Sequence, residues 1–263
     1  MCTIGAVRNE SNGKCFYFKN LDQPDAFTFA EPAIVQGRLH RYLKLPSGRS
    51  LSDKGSWAGV NERGLVVLGA DGNCMPNFVG GRYASLNESL IAYEQALSEC
   101  ATAPEAMHLI MDLYQQKNVG GNGDIILVGD GREAIAMEYS PNRWGIQYRN
   151  EMPYMIRTNF FLLLDRLRPQ PEENSVHTSS AMRYADAMGH LSIHGKNSEL
   201  DDVFRLVRSH VNGPSALSIC RHGGAGEYAT HCSFVAEIAP SGISAYVVVN
   251  NAPCKSDFKR YTF

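Results

Sequence analysis

Cys2-Thr3-Ile4-Gly5-Ala6-Val7-Arg8, then Glu10-Ser11-Asn12-Gly13, then Lys14-Cys15-Phe16-Tyr17-Phe18-Lys19 open the chain as two β-prone runs separated by turn residues. Asn-Gly between two such runs marks a hairpin, because both residues accept the positive φ that a tight turn imposes. A second pair of strands, 56–60 and 65–69, is joined by the turn-like Asn61-Glu62-Arg63-Gly64. The period then changes. Asn87 is placed to cap a helix bearing Leu90, Ile91, Tyr93 and Leu97. Thr102-Ala103-Pro104-Glu105 starts another, with Ala106, Leu109, Ile110 and Leu113 on one face.

Strand character returns at 124–129, 133–139, 144–148 and 154–158. Helical spacing recurs at 179–191 and at 198–211, where Leu200, Val203, Phe204 and Val207 form an apolar stripe. The last strands, 234–239 and 243–250, flank Pro240-Ser241-Gly242. The order is strands, two helices, strands, two helices, strands. Hairpins from both chain ends predict an α+β fold, a four-layer αββα sandwich of two antiparallel sheets between helix pairs. A doubly wound parallel sheet would need single helices alternating with single strands. No repeat or low-complexity linker interrupts the chain, so residues 1–263 read as one domain. Its weakest link is the Pro/Glu/Asn-rich loop at 168–175.

Composition narrows the function. With 25 Lys+Arg against 27 Asp+Glu the net charge is −2, which gives no electrostatic footprint for nucleic acid. Nothing approaches the roughly 18 uninterrupted apolar residues of a membrane span, and residues 1–8 lack the pattern of a signal peptide. Seven scattered cysteines (2, 15, 74, 100, 220, 232 and 254) fit reduced thiols in the cytoplasm better than a disulfide framework. Cys220-x-His222 with His231-Cys232 offers zinc ligands in principle, but the spacing matches no common module, so no metal and no cofactor are expected. The glycines of 119–124 lack the Lys-Ser/Thr of a phosphate loop and read as a turn; 222–226 reads as a mobile loop.

Cys2 carries the first hint of chemistry. Removal of Met1 would put a thiol and a free α-amine on one residue, with ordinary pKa values of about 8.5 and 7.7–8.0. One residue then supplies nucleophile and base. The competing reading is a buried strand cysteine.

With Lys19-Asn20-Leu21-Asp22 and Asn61-Glu62-Arg63-Gly64-Leu65 behind it, Cys2 resembles the nucleophile of the N-terminal nucleophile hydrolases of the linear-amide type. That group comprises the isopenicillin N acyltransferase-like enzymes and, more distantly, the choloylglycine (bile salt and penicillin V) hydrolases. Arg157-Thr158-Asn159-Phe160-Phe161 and Ser179-Ser180-Ala181-Met182-Arg183 extend the match. Ser218-Ile219-Cys220-Arg221-His222 and Asn251-Ala252-Pro253-Cys254 look like the acyltransferase branch.

The resemblance implies a cysteine-nucleophile amide hydrolase or acyltransferase working through an acyl-thioester on Cys2. Asp22 would hold the N-terminal amine, or else cap a turn. Asn159 would donate to an oxyanion, or else merely end a strand. Arg183 and Arg221 compete for the remaining cationic position, with Arg221 favoured by the tail motifs. Lys19, Asp71 and Phe160 would contact substrate, Phe160 belonging either to core or to pocket wall. Lys19 replaces an Arg of the choloylglycine branch and Asp71 an Asn. Those departures argue against bile salts or penicillin V, hint at a cationic substrate, and keep open an inactive small-molecule-binding protein on the same fold. The expected partner is a small-molecule amide or acyl donor, with no nucleic acid and no membrane; a homo-oligomer is left open.

Overall fold

The structure is a computed structural model describing residues 1–24, 27–72, 86–117, 123–140, 143–149, 153–164, 175–223 and 228–263. The first half runs β1 (Cys2–Arg8), β2 (Cys15–Pro24), β3 (Ala33–Gln36), β4 (Arg41–Pro46), β5 (Ser56–Asn61), β6 (Val66–Asp71), α1 (Leu86–Glu99) and α2 (Ala103–Lys117). The second runs β7 (Asp124–Gly129), β8 (Ala134–Ser140), β9 (Arg143–Tyr148), β10 (Tyr154–Arg157), α3 (Ser175–His194), α4 (Leu200–Val207), β11 (Tyr228–Ala239), β12 (Gly242–Val248) and β13 (Lys259–Thr262). They form a six-stranded sheet, β10-β1-β2-β11-β12-β13, and a seven-stranded sheet, β3 to β9 in chain order, every pairing antiparallel.

Side-chain alternation explains the layering. In β7, Ile125 and Leu127 face the other sheet while Ile126 and Val128 face helices, as a period of two requires. Between the sheets lie Ile4, Ala6, Tyr17 and Phe234 against Val60, Leu68, Ile125 and Leu127. Outside the seven-stranded sheet, Tyr93, Leu97 and Ile110 of α1 and α2 cover Val67, Ile126 and Val128. Outside the six-stranded sheet, Leu191 of α3 and Val203 and Leu206 of α4 cover Val7, Phe16 and Phe18. Three apolar seams separate four layers, so the expected αββα sandwich is the observed one. Each such side chain contributes roughly 1.5–3 kcal/mol on leaving water.

The opening hairpin pairs Cys2 with Leu21 through to Arg8 with Cys15. Its turn is held by Asn9, whose Oδ1 accepts the Ser11 N–H at 2.9 Å, and by Gly13 at φ +73°. Three short strands go beyond the sequence reading: β3, β4 and β13. β3 and β13 are four-residue edges, and β13 carries Lys259 and Arg260. Charge on an edge blunts further pairing and also erases the apolar signal. The helix expected to reach 211 ends at Val207, where Arg208 leaves helical geometry. Cys74, 119–122, 168–174 and 224–226 fall outside the described residues, as does the side chain of Asn87.

Candidate active site

Cys2 begins β1, a strand flanked by β10 and β2, and three neighbouring segments converge on it. Asn159 follows the end of β10, and its Oδ1 accepts the Cys2 N–H at 2.8 Å. Its Nδ2 donates to the Asp71 carbonyl at the end of β6 at 2.7 Å, tying the two sheets together at the site. Behind Asn159, the fully buried Glu138 carboxylate accepts from Arg157 Nε at 3.0 Å and from the N–H groups of Leu162, Leu163 and Leu164. That one carboxylate fixes the turn carrying Asn159.

Arg183 is wholly buried on the first half of α3. Nη1 donates to the Cys2 carbonyl at 2.6 Å and to Thr3 Oγ1 at 2.9 Å; Nη2 donates to Asn159 Oδ1 at 3.0 Å and Ser180 Oγ at 3.2 Å. Desolvation pushes its pKa down to about 10, partly countered by the Asp22 and Cys2 charges, so it stays a cation near neutral pH. Ser180 also receives Thr158 Oγ1 on its carbonyl at 2.9 Å, and Ser179 Oγ donates to the Ala216 carbonyl at 2.6 Å. The whole Ser-Ser-x-x-Arg stretch thus works as a clamp.

Arg221 does not compete with Arg183. It lies on the other side, with Nη1 3.5 Å from Asp22 Oδ2 and 3.1 Å from Met1 Sδ. Asp22 Oδ1 accepts from Thr230 Oγ1 at 2.8 Å, and Thr230 Oγ1 in turn accepts the Arg221 N–H at 2.8 Å. The Asp22 carbonyl, rather than its carboxylate, accepts the Met1 amine at 3.0 Å. Arg221 Nε is buried with no hydrogen-bond partner among the described residues. Arg183 is thus on Cys2 itself, whereas Arg221 is on Asp22 and on Met1, the residue before Cys2.

A cavity of about 250 Å³ opens beside these groups, lined by Met1, Cys2, Lys19, Trp57, Asp71 and Asp124 among others. Lys19 Nζ donates to the Trp57 carbonyl at 2.7 Å and lies 5.3 Å from its ring centre. Burial lowers its pKa, opposed by the charges of Cys2 and Asp124. Phe160 is elsewhere, buried edge-on against Tyr184 at 5.5 Å, and is not one of the described residues lining the cavity.

Sequence reasoning missed Thr230, Asp124, Tyr93 and Tyr114. Asp124 pairs across strands with Asp71 and accepts from the Tyr93 hydroxyl at 2.7 Å and from the Tyr114 hydroxyl. Desolvation raises its pKa to about 6 although both hydroxyls favour the charged form. Gly69 makes room for Tyr93: a Cβ there would sit 2.6 Å from the Tyr93 hydroxyl oxygen. Two of the quoted motifs serve structure instead. Asn61 Nδ2 donates to the Leu97 and Cys100 carbonyls at the end of α1, and Asn20 Nδ2 to those of Val207 and Ile219.

Two antiparallel sheets between helix pairs, with Cys2 at the start of an interior strand, give the αββα fold expected of the chain. Solved structures agree. The conjugated bile acid hydrolase of Clostridium perfringens superposes with a TM-score of 0.57 at 10% identity, covering 100% of this chain and 97% of that one. Penicillin V acylase of Agrobacterium tumefaciens gives 0.58 at 14% identity over 94% of this chain and 83% of that one. The Caenorhabditis elegans ortholog of N-acylethanolamine-hydrolyzing acid amidase gives 0.56 at 13%, over 89% and 92%. No family model matches the sequence, and no curated protein matches it. The expected resemblance holds at the level of the fold.

Proposed function

We propose that the protein is a cysteine-nucleophile amide hydrolase or acyltransferase acting on a linear amide of a small molecule, once Met1 has been removed. The observation that carries this reading is the Cys2 nitrogen, held at 2.8 Å by Asn159 beside a cavity. A buried backbone N–H needs an acceptor in any case; here the acceptor is a side chain that also takes a hydrogen bond from the buried Arg183 cation, which supports a role beyond packing. The solved structures of similar fold are named as a hydrolase, an acylase and an amidase, which supports the same class.

In the proposed reaction the Cys2 α-amine takes the Sγ proton, and the thiolate attacks the amide carbonyl. The carbonyl π pair moves to oxygen, and Asn159 Nδ2 offers the hydrogen not given to Asp71. The C–N bond then breaks, its electron pair leaving with nitrogen, which takes the proton from the α-ammonium. Water attacks the thioester to give acid and free thiol, or a second amine attacks to give a new amide. Arg183 holds the Cys2 carbonyl, and Arg221 balances Asp22, whose backbone carbonyl faces the amine of Met1. While Met1 is attached its amine occupies the Asp22 carbonyl and its sulfur faces Arg221, so the base is missing and the site is covered.

The test is direct. Processed protein is incubated with a panel of N-acyl amines, anionic and cationic, and its mass is followed. An added acyl mass on Cys2, absent from Cys2→Ala, supports the reading. Binding without turnover in fully processed protein overturns it in favour of a small-molecule binder.

A further inference from the structure

The stretch between α4 and β11 and the turn after β12 bring together four ligand atoms that catalysis does not use. His210, Cys220, His222 and Cys254 place their nitrogen and sulfur atoms all within 4.8 Å of one another. His222 Nε2 lies 2.9 Å from His210 Nε2, 3.4 Å from Cys254 Sγ and 3.8 Å from Cys220 Sγ. A tetrahedral zinc ion with Zn–N near 2.0–2.1 Å and Zn–S near 2.3 Å has ligand–ligand edges of about 3.3–3.8 Å. The two nitrogen–sulfur distances, 3.4 and 3.8 Å, fall near those edges, while the 2.9 Å between the two imidazole nitrogens is a hydrogen-bond length that opens by about 0.4 Å to admit the ion.

The sequence pairing of Cys220 and His222 with His231 and Cys232 is replaced. Cys232 is packed between the sheets, and His210 and Cys254 take the two places. The backbone is built around the cluster. Cys220 N–H donates to the Ser209 carbonyl at 3.1 Å and His222 N–H to the Ser215 carbonyl at 3.2 Å. Arg208 Nε holds the Pro253 carbonyl at 2.8 Å, which fixes the turn bearing Cys254. Cys220 is buried and Cys254 exposed, giving the cluster a closed floor and an entrance.

We propose that His210, Cys220, His222 and Cys254 form a structural zinc site that holds the Arg221 segment against Asp22. Four protein ligands leave no open coordination position, so the ion's role is to fix the chain and not to activate water. Two thiolates and two neutral imidazoles around Zn²⁺ make a neutral site, and two thiol protons leave as the ion binds. Arg221 sits between two of the ligands, and its backbone N–H and carbonyl are already tied to Thr230. Zinc at this place would immobilise the segment at three points.

The experiment uses full-length protein without a metal-binding tag, chelator-stripped under reducing conditions and then titrated with zinc or with cobalt(II). The expected result is one zinc per chain. The cobalt form shows tetrahedral d–d bands with a thiolate-to-cobalt charge-transfer band. Cys254→Ser, at an exposed position, and His210→Ala should each retain less than about a tenth of the zinc after dialysis. Chelator should lower the Tm of the wild type by several degrees and leave that of Cys254→Ser unchanged. Sub-stoichiometric zinc with no cobalt spectrum overturns the proposal. So does full metal binding by both variants, or a Cys220–Cys254 disulfide in protein isolated with its thiols blocked at lysis. None of these readings depends on amide cleavage, so this assignment and the proposed activity stand or fall separately.

Discussion

At the scale of single residues, Asn159 uses both ends of its amide: the oxygen on the Cys2 nitrogen and Arg183, the nitrogen on Asp71. Asn159→Ala should lower kcat about a hundredfold or more with little change in KM, because oxyanion donation acts on charge present only in the transition state. An equal loss in KM alone, measured on the best amide of the panel, would reassign Asn159 to substrate binding. Asp124 gives a second prediction, in stability. Its folded pKa is raised from 3.8 to about 6, so the penalty for ionising it sets in near the unfolded value and grows until the pH passes about 6. Asp124→Asn removes that penalty. Its stability relative to wild type should rise by roughly 2 kcal/mol between pH 4 and pH 7.5, read from paired denaturation curves. The legibility of the site divides at this scale. Cys2, Asp22, Asn159, Arg183 and Arg221 are readable as short motifs and do converge. Thr230 is not, because its contact with Asp22 depends on a β2–β11 register that shifts between Thr230 and Cys232. Asp124 looks like an ordinary first residue of a strand until Tyr93 and Tyr114 arrive from two helices.

At the scale of elements, the segment after β10 has no regular structure of its own, and Glu138 of β8 holds it by three backbone hydrogen bonds and a fourth from Arg157 at the end of β10. Glu138→Ala leaves Arg157 buried without its counter-charge and three backbone donors without an acceptor. A loss of about 3–5 kcal/mol in unfolding free energy is expected. Gly69→Ala is the milder probe: the added methyl displaces Tyr93 from Asp124 at the contact between β6 and α1. It should cost about 1–3 kcal/mol, measured by urea unfolding, and should shrink the pH dependence of stability assigned to Asp124. The strands that read clearly, such as β1 and β7, alternate between two apolar seams or run apolar throughout. β4 did not read clearly, since Lys44 lies within it; that lysine is buried against Glu94 at 2.7 Å. A buried ion pair between a strand and a helix leaves no periodic trace in sequence, and neither does a four-residue edge.

At the scale of the whole molecule, the three seams place Cys2 where both sheets and α3 meet, at the head of a strand with neighbours on both sides. Active preparations should weigh one methionine less than the full sequence by intact-mass spectrometry and run as one chain of about 29 kDa, against the 29.0 kDa computed from sequence. Two fragments, or activity in protein that keeps Met1, would refute this. The same placement governs how the molecule tolerates handling. β1 lies in the interior of its sheet, whereas β13, at the other end of the chain, is an edge, and Phe263 is only half-buried. A purification handle fused ahead of Cys2 keeps its nitrogen in a peptide bond and feeds extra chain into the cavity; one fused after Phe263 leaves along the sheet rim. The two fusions should be equally folded by circular dichroism, yet only the trailing one should turn over substrate, and protease release of the leading handle directly before Cys2 should restore it.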